Sequence, residues 1–118
     1  MFLHDRRSTS RVPAGNLVIH SDVTQEPSEQ VLGIAVTLDI NEFGVRVQCV
    51  DPYVIGDRFR FSVALREEIV SATGRIAHVE KTLNGTFEVG IEFLQISAKD
   101  IERIRSYCKE KGSPGKAL

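Results

Sequence analysis

The chain has 118 residues, with fifteen Lys and Arg set against sixteen Asp and Glu for a formal net charge of −1. That length suits one compact domain with its own core and is too short for two of ordinary size. Near-neutrality excludes an overall field that would draw the chain onto nucleic acid or an anionic membrane, so any anion site must be local.

Such a local asymmetry stands at the start of the chain, where Arg6, Arg7 and Arg11 meet only one acid, Asp5. Residues 1–11 are expected to form a flexible basic arm, residues 12–111 the folded domain and residues 112–118 a disordered tail behind Gly112-Ser113-Pro114-Gly115. From Val12 onward, short runs of β-branched and aromatic residues alternate with turn residues, the pattern of an all-β domain.

Six strands are expected. The first covers about Asn16 to His20 and is followed by a polar link from Ser21 to Gln30. The second runs from Val31 to Ile40 and ends in an Asp39 to Gly44 turn reading D-I-N-E-F-G. The third, Val45 to Val50, sets Val45 and Val47 on one side with Arg46 and Gln48 on the other. After Gly56-Asp57, the run R-F-R-F-S-V-A-L alternates strictly through Phe59, Phe61, Val63 and Leu65.

Beyond an acidic turn at Arg66-Glu67-Glu68, a fifth strand spans about Ile69 to Val79, and Asn84-Gly85 reads as a hairpin turn because both residues tolerate positive φ. The sixth carries Phe87, Val89, Ile91 and Phe93 on one face. Ser97 followed by Asp100 forms a capping box for one amphipathic helix, with Ile101, Ile104 and Cys108 on one face and Tyr107 beside them. Six antiparallel strands and one helix suggest a small closed barrel with the helix over one opening.

Cys49 and Cys108 lie far apart without C-x-x-C spacing or neighbouring histidines, which points to neither a disulfide framework nor a zinc site and fits a reducing cytoplasm. No stretch approaches the roughly 18 apolar residues of a membrane span. His4, His20 and His78 are scattered, with no nucleophile set beside a base, so no enzyme is indicated and no catalytic residue is assigned. A nucleic-acid-binding barrel is disfavoured by the neutral charge and by the few aromatics interleaved with basic residues.

Pairing the first two strands about the centre of the Ser21 to Gln30 link makes opposed residue numbers sum to 51. His20 then lies near Val31 and Arg11 near Ile40, which brings the arginine arm to the Asp39 to Gly44 turn. The chemistry gathered there suits a guanine nucleotide. An arginine fork donates to guanine O6 and N7 or to phosphate, a carboxylate accepts from guanine N1 and N2 hydrogens, and a glycine lets backbone approach a bulky anion.

R-x-x-x-R at Arg7 and Arg11, followed by D-I-N-E-F-G at Asp39 to Gly44, resembles the two-part signature of the PilZ family, R-x-x-x-R and D/N-x-S-x-x-G. The resemblance covers about residues 7 to 108, including the Gly56-Asp57 turn, Gly74-Arg75-Ile76 and G-I-E-F at Gly90 to Phe93. It implies an all-β, six-stranded antiparallel PilZ-type barrel with a C-terminal helix that binds the bacterial messenger cyclic di-GMP and relays it to a partner protein.

Arg7, Arg11, Asp39, Asn41 and Gly44 would hold the ligand, with Arg6 associated with gripping a stacked ligand dimer. Asn41 stands where the family usually has serine, and its amide can likewise donate to a phosphate. No cofactor, metal, nucleic acid or membrane insertion is expected, and the chain would be a monomer or weak dimer. The alternative is a divergent PilZ-like adaptor that works through protein contacts without the nucleotide.

Overall fold

A computed structural model describes residue 15, residues 17–20 and residues 31–112. The arm with Arg6, Arg7 and Arg11, the polar link and the tail after Gly112 lie outside the described residues. In chain order the elements are β1 (Leu17–His20), β2 (Val31–Asn41), β3 (Gly44–Cys49), β4 (Arg58–Leu65), β5 (Glu68–Lys81), β6 (Phe87–Ile96) and α1 (Ala98–Gly112). The domain is mostly β with a single C-terminal helix.

Every strand pair is antiparallel, and β2 to β6 form one long curled sheet in the order β2-β3-β6-β5-β4. The four-residue β1 lies between the edges of that sheet, pairing with β2 on one side and β4 on the other. The curl brings one face inward. Leu17, Ile40, Val45, Phe61, Ile76 and Ile91 all reach 1% exposure or less there.

The alternation in β4 shows how sequence pattern becomes packing. Phe61, Val63 and Leu65 are buried while Arg60, Ser62 and Ala64 are half-exposed, as the period of two in a strand requires. Fully burying each such side chain contributes about 1.5–3 kcal/mol, offset in large part by the entropy of ordering the chain. Gly74 faces the same core: a Cβ there would stand 2.8 Å from Ile91 Cγ2 and 3.0 Å from Phe61 Cε2.

Strict alternation fails where the pairing register shifts, because an extra residue on one strand turns the residues after it on that strand to the other face. In β2 the shift falls between Thr37, opposite Val47, and Asp39, opposite Arg46. Between β5 and β6 one shift has Leu94 of β6 as the extra residue, with Thr73 opposite Gln95 and Gly74 opposite Phe93, and another has Ala77 of β5 as the extra residue, with Ile76 opposite Ile91 and His78 opposite Gly90. Such bulges raise the local twist and bend the long strands around the core.

Ser97 caps α1 through half of the expected capping box. Its Oγ accepts from Asp100 N at 3.0 Å, but the Asp100 carboxylate accepts from Ser71 N of β5 at 3.3 Å and from Arg103 Nη1 at 2.9 Å. Tertiary packing thus takes the group that the local motif assigned to the helix start. Ile104 and Cys108 are buried against the sheet, and Cys108 Sγ donates to the Ile40 carbonyl oxygen at 3.4 Å.

The turn expected from Asp39 to Gly44 is tighter than that span. Asp39, Ile40 and Asn41 belong to β2, and only Glu42 and Phe43 form the turn. At Asn84-Gly85, only Gly85 has positive φ, 89°, since Asn84 uses its side chain, accepting from Thr82 Oγ1 and Thr86 Oγ1. Positive φ appears instead at Arg66 (62°) in the turn between β4 and β5.

Candidate functional site

The β2 bulge places the polar residues of the D-I-N-E-F-G segment. Before it, Ala35 and Thr37 are buried while Ile34 and Val36 are exposed. With Leu38 as the extra residue, parity reverses, so Ile40 opposes Val45 in the core while Asp39 and Asn41 share the outer face with Arg46. An uninterrupted strand would have turned Asp39 and Asn41 toward the apolar interior.

Asn41 pairs with Gly44 across the two-residue turn. Its Oδ1 accepts from Phe43 N at 2.8 Å and from Gly44 N at 3.1 Å, a side-chain closure typical of Asn at turns. Two backbone donors on one atom identify that atom as the oxygen. The amide nitrogen is therefore oriented the other way, and it is buried with no hydrogen-bond partner among the described residues. Asn41 as a whole is 0% exposed.

Asp39 is 9% exposed and is gripped by Arg46. Nε and Nη2 of the guanidinium both donate to Asp39 Oδ2, at 3.0 and 2.6 Å, and Nη1 donates to Glu88 Oε1 of β6 at 3.0 Å. The hydrogen bond to Asp39 raises the Arg46 pKa above its ordinary value against the opposing effect of burial, so the arginine stays charged. Charge-assisted bonds of this kind are about twice as strong as neutral ones.

The turn is anchored on two further sides. The Phe43 carbonyl accepts from Phe93 N of β6 at 3.0 Å, and Glu42 forms an ion pair with Arg105 of α1. From Asn41 the outer-face row continues through Gly44, Glu92 and Arg75 to Arg58, one residue from each of five strands. Arg75 Nη2 donates to Glu92 Oε1 at 2.7 Å within it.

Of the residues expected to bind ligand, Asp39, Asn41 and Gly44 are brought together at the end of the β2–β3 hairpin. Arg6, Arg7 and Arg11 lie outside the described residues. Sequence alternation sets Arg46, with Gln48, only on the side of its strand opposite Val45 and Val47. Counting a two-residue turn back from Asn41 and Gly44 would have put it opposite Asp39. Among the described residues, no three His, Cys, Asp or Glu side chains come together as metal ligands, no helix is long and apolar enough to cross a membrane, and both cysteines are free and buried.

In structural comparison the chain is similar to the Bacillus subtilis inhibitor of motility MotI/DgrA, at 18% identity and a TM-score of 0.73, covering 94% of this chain and 53% of that one. It is similar to the PilZ domain of Escherichia coli YcgR solved with c-di-GMP, at 14% identity and a TM-score of 0.65, covering 95% and 97%. Against YcgR in complex with c-di-GMP the figures are 14%, 0.67, 95% and 49%. The chain thus spans about half the length of MotI/DgrA and of that YcgR chain. At these identities the likeness establishes the fold. No curated protein matches the chain significantly. The PilZ domain model matches residues 5–110, nearly the whole sequence, and the chain belongs to the PilZ domain family.

Proposed function

We propose that this chain is a cytoplasmic receptor for cyclic di-GMP, built on a six-stranded PilZ-type barrel, which relays the messenger to a partner protein through a conformational change. The ligand-binding residues are Arg6, Arg7 and Arg11 from the arm with Asp39, Asn41 and Gly44 from the hairpin. One observation carries the reading: the β2 bulge and the two-residue turn set a carboxylate, an amide donor and a glycine side by side on the outer face.

The buried Asn41 amide strengthens it. A buried donor left without an acceptor costs about 1–3 kcal/mol, and a phosphate oxygen delivered there would remove that cost. The arm has a route to the same place. Leu17 with Ala35, Val18 with Ile34 and Ile19 with Gly33 each sum to 52, one more than expected, while His20 with Val31 keeps 51. The pairing is antiparallel, so chain preceding β1 runs toward the Asp39 to Gly44 end of β2, which supports an approach of the arm to the hairpin.

In this reading ligand orders the arm against the hairpin, and Glu42–Arg105 connects that hairpin to α1. Regulation of motility is the process that the similarity to an inhibitor of motility supports. The adaptor reading is favoured by one feature: the Asn41 oxygen is committed to its own turn, leaving only its amide nitrogen for a ligand. Calorimetric titration with cyclic di-GMP separates the two. Saturable heat, weakened about ten- to a hundredfold in Arg7→Ala and Arg11→Ala, supports the receptor; no heat at high micromolar ligand supports the adaptor.

A further inference from the structure

Asp39 is the shortest acidic side chain type, and its value for reading a base depends on where its carboxylate points. Arg46 governs that. Two N–H groups from one edge of a planar guanidinium converge on Oδ2, at 3.0 and 2.6 Å, a geometry that lysine, a single point donor, does not reproduce. The opposite side of the guanidinium is fixed by Glu88 Oε1 at 3.0 Å, so the arginine is held between β2 and β6.

The strand register makes room for this. Arg46 opposes Gly90, whose outer position carries no side chain, while Glu88 lies one outward position away opposite Gln48. The Asp39 side chain is 12% exposed and that of Arg46 34%, so the pair is more shielded than an ordinary surface ion pair, whose contribution is small.

We propose that Arg46 is a positioning residue for Asp39, orienting its carboxylate to accept from the guanine edge of the ligand, with Glu88 fixing Arg46 in turn. This rests on the receptor reading above. Arg46 thereby tunes base selectivity without touching the nucleotide, and the outer end of β6 becomes part of the recognition apparatus.

The test compares cyclic di-GMP with its inosine analogue, which keeps N1–H but lacks the 2-amino group, by calorimetry on wild type, Arg46→Ala, Arg46→Lys, Asp39→Ala and the Arg46→Ala/Asp39→Ala double variant. Melting curves report folding alongside. Wild type should prefer cyclic di-GMP, and Arg46→Ala should lose about tenfold or more in its affinity while losing less for the analogue, narrowing the preference. Arg46→Lys should restore little, and Arg46→Ala should add almost nothing in the Asp39→Ala background.

Equal losses for both ligands, or losses additive with Asp39→Ala, would overturn the positioning role and make Arg46 a phosphate contact or a purely structural residue. Unchanged affinity and selectivity in Arg46→Ala would overturn it as well, with the receptor reading intact. A wild type that binds neither ligand would overturn the receptor reading, and this inference with it.

Discussion

Replacing Asn41 with alanine deletes the acceptor that closes the β2–β3 turn. Two hydrogen bonds are lost, from Phe43 N at 2.8 Å and Gly44 N at 3.1 Å, each contributing about 0.5–1.5 kcal/mol net. The Gly44 bond is buried, so its N–H would be stranded away from water. Against this, alanine also removes the Asn41 amide nitrogen, which is buried with no partner among the described residues, and so recovers part of the loss. The balance is a destabilisation of about 1–2 kcal/mol.

For a domain of this size each kcal/mol lowers the midpoint by about 4–8 °C, so Asn41→Ala should melt roughly 4–16 °C lower. Differential scanning calorimetry measures it, and urea unfolding with an unchanged slope would show that the folded state lost the energy. Asn41→Ser, whose hydroxyl can still accept from the turn, should fall between alanine and wild type. A midpoint within about 1 °C of wild type in Asn41→Ala would refute the reasoning, because the turn would then not depend on that oxygen. Cyclic di-GMP affinity in Asn41→Ser reads the functional side: a match with wild type makes asparagine a working substitute for serine, and a large gain makes the natural site a weakened one.

Gly74→Ala should cost about 1–3 kcal/mol by overpacking, since the new methyl meets Ile91, Phe61 and the Glu92 carbonyl oxygen at 2.8–3.0 Å; chemical denaturation checks it. Desolvation pushes the Cys108 thiol from 9.0 up to about 11. The folded thiol therefore keeps its proton to higher pH than the unfolded one, and the stability this contributes is full below pH 9 and lost as pH rises toward about 11. Cys108→Ala should be less stable near neutrality but show a shallower alkaline decline in urea unfolding across that window. Arg7→Ala and Arg11→Ala should weaken cyclic di-GMP binding about ten- to a hundredfold without shifting the ligand-free melting midpoint by more than about 1 °C, and an unchanged affinity in both would remove the arm from the site.

Local pattern and tertiary context contributed differently to this protein. Alternation in R-F-R-F-S-V-A-L sets Phe61, Val63 and Leu65 inward because side chains on a strand alternate wherever the ladder is regular, and β4 was legible to the residue. The helix was legible for a similar reason, its apolar face repeating through Ile101, Ile104 and Cys108. The presence of a D-I-N-E-F-G turn and of basic residues ahead of it was equally plain, because turn formers and charges declare themselves in one dimension.

What the chain did not declare was where regularity breaks. The extra residue at Leu38 decides that Asp39 and Asn41 leave the core face, and a bulge is set by how two strands fit, not by the composition of either one. Asp100 gives its carboxylate to Ser71 instead of completing the box at Ser97, since a packed sheet offers a partner that the isolated helix start lacks. Arg46 becomes the companion of Asp39 only when β2 and β3 pair, and of Glu88 only when β6 lies alongside. Side chains far apart in sequence interact through distances of about 3 Å, and those distances exist only once the sheet has curled.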